Sequence, residues 1–130
     1  MMTELSRKNT LRKHERLYEK NGVDLVFQKG KLITASPIKL LWVVNERKSN
    51  VPIKVAFSVP KRIFKKAVTR NLLKRRMREA YRKNKIIKTE PDTTYALMFI
   101  YNARKINPYM EIESKIVLTL QHFKTAVGAE

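Results

Sequence analysis

The stretch Ala67-Val68-Thr69-Arg70-Asn71-Leu72-Leu73-Lys74-Arg75-Arg76-Met77-Arg78-Glu79-Ala80-Tyr81-Arg82-Lys83-Asn84-Lys85 holds eight cations and one carboxylate. At about 100° per residue, Arg70, Asn71, Lys74, Arg75, Arg78, Arg82 and Lys85 fall within one arc of roughly 140°. Leu73, Met77, Ala80 and Ile87 fall on a different arc. The spacing predicts a helix from Ala67 to about Ile87, without an obvious N-cap, with one apolar side and one cationic ridge. The apolar side needs a surface to cover. Residues 95–101 (Tyr-Ala-Leu-Met-Phe-Ile-Tyr) supply one, because a continuous apolar run of this length is the pattern of a strand covered on both faces.

Working outward, residues 39–45 (Lys-Leu-Leu-Trp-Val-Val-Asn) and 54–59 read as strands, with residues 46–51 as the loop between them. Pro52 and Pro60 bracket the second of these, as suits strand ends. Residues 11–27 read as helical with a break near Asn21-Gly22; Leu17, Val23, Val26 and Phe27 are the apolar anchors and Gly30 the terminator. Asn107-Pro108 predicts a helix start, Asn capping and Pro at the first helical position. Ile112, Ile116, Leu120, Phe123 and Val127 then form its apolar stripe. The connection through the basic helix is long enough for a parallel crossover. With no repeat, low-complexity tract or linker, residues 1–130 read as a single α+β domain.

The chain carries a net charge of +18, from 29 Lys and Arg against 11 Asp and Glu. Residues 1–85 hold 24 cations and 6 acids, residues 86–130 five of each, so the whole excess lies in the first two thirds. Between Lys54 and Lys85 there are 13 cations and one acid. Repulsion at this density destabilises a fold unless a polyanion relieves it, which points to nucleic acid. A hydrophobic fraction of 43% separates the chain from a disordered basic tail. The absence of cysteine excludes disulfides, thiolate metal sites and cysteine nucleophiles. No apolar run reaches the ~20 residues of a membrane span, and Met1 to Lys13 is polar rather than signal-like, so a soluble, cytoplasmic protein with no membrane partner is expected. A membrane-surface helix would need its apolar face free, whereas this one is required by the sheet. No pair of short helices flanks a tight turn, so RNA is favoured and no DNA partner is expected.

No catalytic set emerges. His14 and His122 stand in no motif, and Asp24, Glu79 and Asp92 belong to different elements. Glu111 and Glu113 are two apart on a helix and do not face each other. No HExxH, phosphate-loop, dinucleotide-binding or GxSxG motif occurs. A protein nuclease using two metals would need converging carboxylates. The expectation is therefore no catalytic residue, with any metal site on the protein unassigned.

Residues 56–62 (Ala-Phe-Ser-Val-Pro-Lys-Arg) followed by residues 67–82 resemble the protein subunit of bacterial ribonuclease P. The family pattern is a strand ending Ser-Val-x-Lys-Lys/Arg, then Ala-Val-x-Arg-Asn-x-x-Lys-Arg-x-x-Arg-Glu, and its helical half is matched throughout. Glu15-Arg16-Leu17 and Val26-Phe27-Gln28-Lys29-Gly30 are similar to the family's first helix and its closing glycine. Many members carry a glycine just before Ala-Val. Here the loop is Ile63-Phe64-Lys65-Lys66, one residue longer and without that glycine, which leaves its backbone path open.

The resemblance implies a compact two-layer α/β sandwich with a small mixed sheet and a left-handed βαβ crossover around the basic helix, a hand opposite to the usual rule. It implies a non-catalytic subunit of an endoribonuclease: a catalytic RNA, with magnesium, removes the 5′ leader of precursor tRNA. By the same resemblance, Arg70, Asn71, Lys74, Arg75, Arg78 and Arg82 dock the catalytic RNA, with Lys61, Arg62 and Lys66 at the approach. Phe27, Leu40 and Trp42 would line a cleft for the leader. For Phe27 and Trp42 plain core packing stands beside that role. A structural RNA-binding protein of similar architecture, and a free-standing nuclease, are the competing readings.

Overall fold

A computed structural model of the chain describes residues 26–45, 53–85 and 93–128. After a helical turn at residues 26–29 the chain runs through β1 (Lys31–Ala35), β2 (Ile38–Asn45), β3 (Ile53–Ser58), α1 (Ala67–Asn84), β4 (Thr94–Tyr101) and α2 (Tyr109–Val127). The expected helix over residues 11–25, its break at Asn21-Gly22, and Ile87 lie outside the described residues.

β4 is buried along its length except at Ile100, which is half-buried, as its unbroken apolar run requires. It sits inside a four-stranded sheet ordered β1-β2-β4-β3. β2 pairs with it antiparallel and β3 parallel, so α1 is the crossover between two parallel neighbours. On one face Tyr95, Leu97, Phe99 and Tyr101 join Ile38, Leu40, Trp42, Ile53 and Val55 beneath Leu73, Met77, Ala80 and Tyr81 of α1 and Ile112, Ile116, Leu120 and Phe123 of α2. On the other, Ala96 and Met98 pack with Val26, flanked by Leu41, Val43, Ala56 and Ile100. Each side chain buried on this scale contributes about 1.5–3 kcal/mol. The result is the expected mixed α+β sandwich.

Three local features depart from the sequence reading. β1 is a short, largely exposed edge strand that the pattern does not reveal. Phe27 is not a core anchor: only Val26 of the pair is buried, and Phe27 is 57% exposed. Asn107 does not cap α2. The helix begins at Tyr109 after Pro108, with no side-chain cap. The Asn107 amide is turned inward, where its Nδ2 and its backbone N–H donate to the Tyr101 hydroxyl at 2.7 and 2.9 Å. That hydroxyl donates in turn to the Lys105 carbonyl at 2.6 Å. A buried hydroxyl outcompetes the helix end for the amide because an unmet buried polar group costs more than an uncapped, solvated N–H.

Gly30 does terminate the first turn. Its N–H donates to the Val26 carbonyl at 2.8 Å, and a Cβ there would lie 2.2 Å from that same oxygen. Gly128, at φ 73°, closes α2 with its N–H directed at the Lys124 and Thr125 carbonyls.

The Tyr101 hydroxyl is the hub of the loop between β4 and α2, so Tyr101→Phe is expected to destabilise the fold by about 1–3 kcal/mol. A lowered urea midpoint at constant m-value would show it; an unchanged midpoint would remove the hub role.

Candidate nucleic-acid interface

Between β3 and α1 the backbone must turn without the glycine that the resemblance leads one to expect. It does so around Pro60, whose carbonyl accepts from Ile63 N–H (3.2 Å) and Phe64 N–H (3.1 Å). Phe64 is buried with its ring 5.9 Å from that of Tyr101. α1 then starts after Lys66 without a side-chain cap. Instead the Arg70 guanidinium reaches back from the first turn and donates to the Phe64 carbonyl at 2.9 Å and the Lys65 carbonyl at 2.7 Å. Charged donors make the stronger class of hydrogen bond, so this clasp fixes the loop that carries the approach cations. Lys61, Arg62, Lys65 and Lys66 all project to solvent from it.

Along α1 the cations divide by flank. Asn71 and Arg75 are exposed, and Lys74 and Arg78 are half-buried. Arg78 lies over the Phe57 ring of β3, 5.9 Å from its centre. The opposite flank is committed to α2. Arg76 donates to the Asn107 carbonyl at 2.7 Å, Lys83 sits 5.6 Å from the Tyr109 ring, and Asn84 Nδ2 bonds the Ala80 carbonyl (2.8 Å) and Glu113 (3.2 Å). Arg82 forms an ion pair with Glu79, its Nε donating to Oε2 at 3.2 Å. That hydrogen bond holds the Glu79 carboxyl below the usual carboxylate range and the Arg82 guanidinium above its own. Of the nine residues expected to meet RNA, Arg70, Arg78 and Arg82 therefore have partners within the protein. The others lie on α1 or on the loop leading into it. Arg76 and Lys83, outside that expected set, join the two helices.

The sheet face opposite the helices corrects part of the cleft expectation. Leu40 is 0% and Trp42 5% exposed, the Trp42 ring meeting Phe123 edge-on at 5.2 Å beneath α2. Neither can line a cleft. Side chains directly paired across strands share a face, and the registers place Leu32–Leu41–Met98–Ala56, Val43–Ala96–Lys54 and Lys39–Ile100–Ser58 together on the other side. Phe27 projects into solvent next to Val26, which packs on that face. The β2 residues on the face where Val26 packs are thus Leu41 and Val43, one position removed from those expected.

The family described as Ribonuclease P matches residues 11–123. This chain belongs to the ribonuclease P protein family. The "Ribonuclease P protein component" of Chlorobium phaeobacteroides is 42% identical over 80 residues, covering 59% of this chain and 55% of that protein. That of Porphyromonas gingivalis is 37% identical over 75 residues, covering 58% and 55%, so the chain spans about half the length of these relatives. The Chlorobaculum tepidum protein of the same name is 33% identical over 109 residues, covering 75% and 71%. Among solved structures, the RNase P proteins of Staphylococcus aureus (TM-score 0.67, 20% identity, 85% and 95% covered) and Thermotoga maritima (0.65, 24%, 83% and 96%) share the fold.

Among the described residues, no helix of this ribonuclease P family member is long and apolar enough to cross a membrane, and no three His, Asp or Glu side chains converge. Glu113 accepts from the Tyr109 hydroxyl at 3.2 Å. Burial first, and this bond second, push the Tyr109 phenol up to about 12. A raised phenol pKa means that the folded chain keeps a proton that the unfolded chain has lost. The stabilisation is complete below the unfolded value near 10 and is lost as pH rises towards about 12. Tyr109→Phe should accordingly flatten the fall in urea midpoint between pH 9 and roughly 11; the same fall in both proteins would contradict the assignment.

Proposed function

We propose that this chain is the protein component of ribonuclease P, assisting a catalytic RNA in the endonucleolytic removal of the 5′ leader of precursor tRNA. One observation carries the reading: α1 has a flank of cations, Lys74, Arg75 and Arg78 with Asn71, turned away from α2 and continuous with a clasped loop bearing Lys61, Arg62, Lys65 and Lys66. Guanidinium forks and ammonium groups on a rigid helix suit the phosphates of a folded RNA, and affinity then comes largely from counterion release. Arg70 acts on the RNA through the loop it shapes, and Arg82 through its pairing with Glu79.

The leader lies across the opposite sheet face. Phe27 offers a stacking platform indifferent to base identity, and Leu41, Val43, Ala56 and Ile100 form a half-buried apolar floor near Lys54 and Ser58. Leaders vary in sequence, so stacking and backbone charge are the suitable means of holding them. Hydrolysis belongs to the RNA. The described carboxylates do not gather as a magnesium site: Glu79 is taken by Arg82, and Glu113 by Tyr109 and Asn84. The magnesium ions would be held by RNA phosphates and would supply the attacking hydroxide and the stabilisation of the leaving oxygen. The protein's part is to screen charge and position the leader, acting in the cytoplasm where precursor tRNA is made.

Two variants test the division of labour. The double variant Lys74→Ala/Arg75→Ala should lower affinity for the catalytic RNA and reduce the slope of log K against log salt by about 1.5–2. Phe27→Ala should leave that docking intact yet weaken precursor binding by the holoenzyme about 5- to 150-fold, the range for loss of one stacked base. Unchanged RNA affinity in the first, or equal losses for both RNAs in the second, would contradict the assignment.

A further inference from the structure

We infer that Phe57 is a positioning residue for RNA docking: its ring, at the edge of the sheet, holds the Arg78 guanidinium in place for a phosphate of the catalytic RNA. The inference deepens the RNA-docking reading of α1 and rests on it. It adds to that machinery a side chain that carries no charge and belongs to β3 rather than to the helix.

The ring is fixed before any RNA arrives. β3 is an outer strand of the sheet, and its register sets Phe57 opposite Phe99 of β4. The two rings stack with centroids 5.6 Å apart and 12° between their planes. Tyr81 of α1 meets Phe57 edge-on at 6.0 Å and 68°, and packs against Phe99 at 5.7 Å. Phe99 and Tyr81 are buried and Phe57 is half-buried, so the three-ring cluster is anchored in the core and reaches the surface at Phe57.

Arg78 meets the cluster there, its Cζ 5.9 Å from the Phe57 ring centre. One helical turn separates it from Lys74 and Arg75, whose like charges would splay a long, flexible side chain. The face of an aromatic ring is negative and attracts a guanidinium within about 6 Å of its centre. A side chain already held at its docking position loses less freedom when RNA binds.

The kind of contact decides its use. Arg70 and Arg82 are held by oxygen acceptors, which occupy N–H donors that a phosphate would otherwise take. A ring face attracts the charge and takes none of the donors, so this contact orients Arg78 without competing with a phosphate for its fork. An aliphatic residue at position 57 would fill the space beneath α1 and supply none of that attraction.

The test is the affinity of the full chain for a bacterial ribonuclease P RNA at fixed salt, each variant first shown by its urea transition to be folded. Phe57→Leu, which keeps most of the bulk and removes the ring, should weaken binding about 2- to 10-fold, the range for freeing one long side chain. A trifluorinated phenylalanine in place of Phe57 keeps the ring and drains its negative face, and should do the same. In place of Phe123, a core ring against Trp42, it should leave the affinity unchanged. In the Arg78→Gln background, Phe57→Leu should cost nothing further, because the ring acts through that guanidinium. Should Phe57→Leu fail to fold, the fluorinated ring takes its place in this comparison. Native affinity with the fluorinated ring at position 57 would reduce Phe57 to packing and overturn the inference. So would a loss from Phe57→Leu as large in the Arg78→Gln background as in the unaltered chain. Failure of the unaltered chain to bind the RNA would be a different result, overturning the functional reading and this inference with it.

Discussion

β4 must be covered on both faces, and the two covers set where the two surfaces proposed to meet RNA lie. Seven of its eight residues are buried, on one side by α1 and α2, on the other by the packing around Val26. Because β3 pairs with it in parallel, a crossover has to run from one to the other, and α1 is that crossover. Its apolar stripe is fixed over Phe99 and Tyr81's neighbours in the core, which leaves the cationic flank no choice but to face outward beside β3. The same strand supplies Met98, Ala96 and Ile100 to the second face, next to Phe27. Burial of one strand thereby sets the placement of both the cationic flank and the apolar face proposed to meet RNA.

Much of this is written openly in the sequence because the signals are long. The 95–101 run is too apolar for anything but an interior strand, and the α1 stripe of Leu73, Met77 and Ala80 is unambiguous against its cations. The stripe from Ile112 to Phe123 is equally clear. β2 shows the opposite case. Leu40-Leu41-Trp42-Val43-Val44 is apolar at every position although only Leu40 and Trp42 are buried, Leu41 and Val43 being half-buried and Val44 exposed, so alternation, the only sequence signal for facing, is erased. The cleft residues are consequently displaced by one, and the burial of Leu40 and Trp42 is visible only once the register with β4 is known.

The cations raise a different difficulty. Sequence puts Arg70, Arg78 and Arg82 on one ridge alike, but the fold gives them separate tasks: Arg70 clasps Phe64 and Lys65, Arg78 lies over the Phe57 ring, and Arg82 pairs with Glu79, while Arg76, off that ridge, ties α1 to the Asn107 carbonyl. Which arginine turns inward depends on carbonyls and carboxylates brought near by folding. Asn107 is the polar equivalent, its helix-capping signature overridden by the Tyr101 hydroxyl six residues earlier.

In the proposed division of labour this chain supplies positioning and charge while an RNA performs the hydrolysis. The most direct measurement is cleavage of precursor tRNA at low magnesium with a bacterial ribonuclease P RNA, comparing RNA alone, protein alone and the two combined. Release of the 5′ leader is expected only when both are present. Cleavage by the protein alone, surviving controls for contaminating nuclease, or no stimulation of an RNA that the protein demonstrably binds, would contradict it.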